Sequence, residues 1–211
     1  MRRLRLVTPL LFLQMLLATS LAAQPAQQFT ELENRLLESR TLSLLFRVNA
    51  SGAVAADIEA NLRKAANGDI ELSAAGVFAG QDIDLILTLH GTHFEYGHRL
   101  QPTQAEPPQE LWQALVIGLT RMGILHNIAV LSAGNMPDHA NGGVADWVLA
   151  SNVQHRDESF AFDILVDGIP AGSASLSFDE PVSAGLRSQT VTFPGGQMRV
   201  REEYLNIIRS E

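Results

Sequence analysis

The chain has 211 residues and no cysteine. That excludes a disulfide framework, and also the lipid-modified cysteine that would tether a bacterial lipoprotein after export. Lysine occurs once, as Lys64, and acidic residues outnumber basic ones by 23 to 15. A chain so poor in cations lacks the basic patch that phosphate neutralisation needs, so no nucleic-acid partner is expected. Attraction to anionic lipid head groups is disfavoured for the same reason, and like charge keeps the surface soluble. Three chemical signatures are also missing: a Gly-x-Ser-x-Gly elbow, a phosphate-binding loop and a dinucleotide glycine fingerprint. No internal repeat and no long linker divides the chain.

What the sequence does contain begins with an export pattern. Arg2, Arg3 and Arg5 precede an apolar run from Leu6 to Leu21, and small residues gather at Ser20, Ala22 and Ala23. Charge, apolar stretch and small-residue cleavage site in that order read as a cleavable signal peptide over 1–23, cut after Ala22 or Ala23. A retained anchor is the alternative, but the run falls short of the roughly 20 apolar residues of a spanning helix. The expected product is a single periplasmic domain over 24–211 with no stable membrane anchor. Three of the fifteen basic residues leave with the signal, so twelve remain against 23 acidic ones.

Hydrophobic periodicity then sets the element types. Phe29, Leu32, Leu36 and Leu37 recur at helical spacing, predicting a helix over 26–39, with Thr30 and Glu33 as a capping box. Leu42, Leu44, Phe46 and Val48 alternate with polar residues as a strand. Val54, Ala56, Ile58, Ala60 and Leu62 continue at the same parity; a helix is the competing reading there, because alanine is abundant. Asn67-Gly68 marks a hairpin with both central residues at positive φ. Strands follow through Ile70, Leu72, Ala74 and Phe78, then Ile83, Leu85, Leu87 and Leu89, then Thr92, Phe94 and Tyr96. From Glu110 to Ala133 the pattern turns helical and apolar on more than one face, divided or kinked at Gly123, so this insert must be sandwiched. After a loop over 135–143, strands are expected through Trp147, Leu149 and Val153, through Phe160 to Val166, and through Ala174 to Phe178. A last hairpin turns at Pro194 to Gln197.

The predicted class is therefore α+β and β-rich: a long, curled antiparallel sheet, an incomplete β-barrel, covered by an N-terminal helix and a helical insert. A sheet of that length curls or splits, and its concavity is either filled by side chains or left open to an apolar ligand. Element order, the passage Leu36 to Ser43, and the motifs Arg121-Met122-Gly123-Ile124-Leu125-His126-Asn127 and Val191 to Tyr204 resemble the periplasmic lipoprotein-carrier (LolA/LolB-like) superfamily, in an uncharacterised exported branch. The resemblance implies a non-catalytic binder or carrier of a lipid or acyl chain, in envelope lipid or lipoprotein transport. It departs from those carriers in lacking a recognisable cavity arginine. The expected cavity or lid residues are Phe46, Leu72, Phe78, Leu85, Leu87, Trp112, Leu115, Leu119, Met122 and Leu125. The alternative is an envelope partner-binding protein with a filled core; a hydrolase ranks third.

No catalytic residue, metal or cofactor is expected. His90 and His93, three apart in one strand, would point to opposite faces, and Asp138-His139 is an adjacent pair with no signalled nucleophile. His126 reads as a core-edge histidine, with pH sensing as its functional alternative. Arg199, Arg201, Glu202 and Glu203 read as cross-strand pairs on an exposed edge.

Overall fold

The computed structural model describes residues 24–135, 143–178, 185–193 (through their strand pairing) and 196–210. Helix α1 spans residues 24–37, two residues ahead of its expected range. Its start moves Thr30 into the helix interior, where the hydroxyl donates back to the Ala26 carbonyl. The expected capping box is therefore absent.

Eleven antiparallel strands form one sheet: β1 (Thr41–Gly52), β2 (Ala56–Lys64), β3 (Ile70–Phe78), β4 (Gln81–His90), β5 (His93–His98), β6 (Thr103–Ala105), β7 (Val148–Arg156), β8 (Ser159–Val166), β9 (Ile169–Phe178), β10 (Gly185–Phe193) and β11 (Gly196–Ser210). Their order is β6-β5-β4-β3-β2-β1-β11-β10-β9-β8-β7. Two meanders thus meet at one seam, where β1 pairs with β11 from Thr41↔Ser210 to Gly52↔Met198. The segment 53–66, open between helix and strand in sequence, is a strand at its centre. Strict alternation buries Ala56, Ile58, Ala60 and Leu62 and exposes Asp57, Glu59, Asn61 and Arg63, a gain that alanine's helix propensity cannot match.

The insert leaves the sheet at the β6 edge and re-enters it at the β7 edge, so it must cross the inner face. It comprises α2 (Leu111–Ile117), a π-helical turn (Gly118–Met122), α3 (Ile124–Ser132) and α4 (Val144–Trp147). Gly123 (φ 96°) breaks the helical path between the π turn and α3. Leu115, Leu119, Ile124 and Ile128 are buried in one apolar cluster with Phe46, Leu72 and Leu87 of the sheet. No helix among the described residues is long and apolar enough to cross a membrane.

Several local expectations are corrected. Trp147 ends α4 and is not a strand residue. On β7 the inward residue is Val148, whereas Leu149 faces out; a bulge near Asn152 (φ 52°) then shifts the register. At Asn67-Gly68 only Gly68 has positive φ, and the Gly68 N–H donates to the Ala65 carbonyl at 3.0 Å. That is a type I turn with a following left-handed residue, which is the three-residue hairpin loop. Mirror-image turns with both residues at positive φ occur instead at Ala79-Gly80, Asp157-Glu158 and Asp167-Gly168. The turn at Gly91 places His90 and His93 on separate strands directly opposite each other, hence on one face. Each has a carboxylate partner: Asp69 for His90 and Glu95 for His93. No metal-holding cluster of His, Asp and Glu occurs among the described residues.

Candidate functional site

The two motifs that carried the family resemblance meet in space. β11 is central in the sheet, not an exposed edge, and the parity that buries Met198 and Val200 also buries Glu202 and Tyr204. Glu202 is 0 % exposed, so its carboxylate must find partners within the protein. It accepts the N–H groups of Ile124 and Leu125 at 3.3 and 3.2 Å, the first donors of α3. A strand carboxylate therefore caps a helix distant in sequence, where orphan N–H groups and the helix dipole both favour negative charge. The Tyr204 hydroxyl lies 2.6 Å from Glu202 Oε2 and 2.7 Å from the Leu119 carbonyl. It reaches the last part of the insert before the break. Gly118 lies against Asn127: a Cβ there would stand 2.6 Å from Asn127 Nδ2, so a larger residue would have to turn that side-chain amide aside.

A second bolt joins the insert to α1. Arg121 forms a two-pronged ion pair with Glu33, Nε to Oε1 and Nη2 to Oε2, each at 2.7 Å. Its Nη1 donates to the carbonyls of Ala145 and Val148 at 2.9 and 2.8 Å, which fixes α4 and the start of β7. Thr120 Oγ1 adds a contact of 2.7 Å to Glu33. Such a fork is geometrically specific and strong among charged hydrogen bonds. Nearby, Trp112 Nε1 donates to the Leu37 carbonyl at 3.1 Å and Lys64 Nζ to the Ser39 carbonyl at 2.9 Å, with Nζ 4.8 Å from the Trp112 ring centre. Burial lowers the Lys64 pKa. The sole lysine thus sits at the end of α1 against the insert.

Of the ten expected cavity or lid residues, seven are buried in the common core: Phe46, Leu72, Leu85, Leu87, Leu115, Leu119 and Leu125. Phe78, Trp112 and Met122 are partly buried and packed against it. A concavity of about 820 Å³ lies elsewhere, over the strands β1, β11, β9, β8 and β7. Its walls include Asn49, Arg199, Arg201, Asp163, Asn152 and Gln154, none from the insert. Arg201 pairs with Glu203 at 2.9 Å, and Asn152 donates to Asp163 at 2.7 Å. This trough is open and mixed in lining, with Ala50, Ala161, Phe162, Ala174 and Val200 also among its walls. The loop with Asp138-His139 lies outside the described residues.

No family profile and no curated protein matches this chain. It shows a distant likeness to MucB. Two solved structures carry that likeness, the Pseudomonas aeruginosa MucA/MucB complex and MucB in complex with MucA(peri). Each is 9% identical, with 87% of this chain and 99% of that chain covered, at a TM-score of 0.20. A superposition that loose carries no argument about function. The resemblance to lipoprotein carriers stands on the order of elements and the sequence motifs.

Sequence reading missed Glu33, Arg121, Glu202 and Tyr204 as one system, although a signal was present. Glu33 falls with Phe29, Leu32 and Leu36 on the apolar stripe of α1, and Glu202 shares the inward parity of Val200. A charge written into an apolar stripe needs a partner. Two consequences are measurable. Tyr204→Phe removes the hydroxyl that ties β11 to the insert and costs about 2 kcal/mol, read as a lower urea midpoint at unchanged m-value. His126, whose ring packs 5.7 Å from Trp147, has its pKa lowered from 6.5 by burial. The unfolded chain takes up that proton first as pH falls below 6.5, so stability declines through the window down to the folded-state pKa and is flat above it. His126→Gln should flatten that part of a stability–pH curve; an unchanged slope assigns it to other groups.

Proposed function

We propose that this is a non-catalytic protein of the bacterial periplasm that binds a protein partner, with its concave face filled by its own helical insert. The observation that supports it is the bolted insert. Leu115, Leu119 and Leu125 are buried against the sheet, while Glu33–Arg121 and Glu202–Tyr204 hold the same segment to α1 and β11. Opening a cavity there means breaking a buried ion pair and exposing large apolar side chains, each worth about 1.5–3 kcal/mol. The carrier of a lipid or acyl chain is the second reading, favoured by the family resemblance.

Native mass spectrometry of protein released from the periplasm without detergent, followed by organic extraction, separates the two. A bare mass matching chains that begin at residue 23 or 24 is expected. A lipid adduct near one per chain would overturn the filled-core reading and establish the carrier. The partner side is read by a photo-reactive amino acid in place of Ser175, in the trough. One discrete protein adduct supports the proposal, whereas no adduct there and none over the rest of the surface refutes it.

A further inference from the structure

The β2–β3 hairpin turn is chemically unusual. Asn67 is exposed and precedes Gly68, the residue least able to shield its own backbone nitrogen; nothing stands within 4 Å of where a Gly68 Cβ would be. The Asn67 side chain is held at both ends by Asp69: its Oδ1 accepts the Asp69 N–H at 3.2 Å, and its Nδ2 donates to Asp69 Oδ2 at 3.0 Å. The same Asp69 carboxylate accepts the Gly91 N–H at 3.0 Å and lies 3.2 Å from His90 Nδ1. One carboxylate thus clasps the β2–β3 turn to the β4–β5 turn. Those bonds, first the one from Gly91, then those from His90 and Asn67, hold its pKa below the usual 3.8.

We propose that Asn67-Gly68 is a site of spontaneous deamidation in the folded protein, and that the reaction loosens the clasp between the two hairpins. The Gly68 nitrogen, released from the Ala65 carbonyl, loses its proton to solvent base and attacks Asn67 Cγ. The Asp69 N–H, already on Oδ1, polarises that carbonyl and stabilises the developing oxyanion. The Cγ–Nδ2 bond then breaks, and nitrogen leaves as ammonia with a proton from water. Water opens the succinimide to aspartate or isoaspartate. The sum is Asn plus water giving Asp or isoAsp plus ammonia, with no oxidant or cofactor. The product places a carboxylate where an amide donor faced Asp69, so two like charges confront each other at the junction that holds Gly91.

The test is incubation of the folded full chain at mildly alkaline pH in ¹⁸O-water, with peptide mapping. A second Asn-Gly pair, Asn141-Gly142, serves as internal reference. Expected is heavy-oxygen incorporation at position 67, together with about tenfold faster exchange of the Gly91 amide in the converted fraction. Asn67→Asp should reproduce the exchange change without incubation. Retention of the amide at 67 while 141 converts would overturn the site. Conversion, or Asn67→Asp, with Gly91 exchange unchanged would overturn the clasp.

Discussion

Leu115→Asp abolishes the cooperative unfolding transition. Leu115 is 0 % exposed within α2, between the sheet and the rest of the insert. An aspartate there either buries an unpaired charge or carries a proton into an apolar site, and it also removes the leucine's packing. The combined cost exceeds about 5 kcal/mol, comparable to the whole stability of an ordinary domain. Leu115→Ala, which leaves only a void, costs about 2–5 kcal/mol and keeps a folded protein. Near-ultraviolet circular dichroism and urea titration distinguish the two variants. A Leu115→Asp protein that folds with native stability would mean that the insert's apolar face is a ligand wall and not core. The filled-core proposal would then fail.

The second large effect comes from Arg121→Ala. The Glu33 side chain is 5 % exposed and that of Arg121 17 %, so solvent screens the pair little. Removing Arg121 leaves the Glu33 carboxylate buried with Thr120 alone and frees the carbonyls of Ala145 and Val148. A loss of about 3–5 kcal/mol is expected, because breaking one side of a buried pair strands the other charge. Replacing both partners with methionine should recover most of it, since the desolvation cost disappears together with the attraction. Arg121→Lys should fall between: it keeps the charge but cannot present the planar fork. Chemical denaturation of the wild type, Arg121→Met, Glu33→Met and the double methionine variant closes a double-mutant cycle. A coupling below about 1 kcal/mol would show that the pair behaves like an exposed one.

The sheet was largely legible because it is written in parity. Leu42 to Val48, Ala56 to Leu62 and Ile83 to Leu87 each alternate, and each buries the expected face. The break at Gly123 was legible too, since glycine divides an otherwise apolar helical pattern. Harder to read was anything set by the order of strands. Nothing local says that β11 lies beside β1, so Glu202 and Glu203 looked like a matched pair of surface charges when one is buried and the other is not. The same blindness hid Glu33 and Arg121, which are 88 residues apart. The histidines at 90 and 93 failed for a smaller reason: counting parity through Gly91 assumes one continuous strand, and the turn resets it.

The seam between β1 and β11 also has a kinetic meaning. As the chain emerges from its amino end, β1 to β6 can zip together one hairpin at a time, all contacts being local. Until the carboxy-terminal strand arrives, β1 keeps one edge unsatisfied, and the insert lacks the strand that supplies Glu202 and Tyr204. Pairing of β1 with β11 joins residues as far apart as Thr41 and Ser210, a long loop to close. The half-assembled species presents an open edge, the hazard that invites pairing with the wrong chain. Without β11 the two meanders share no pairing, so the sheet is joined through that one strand.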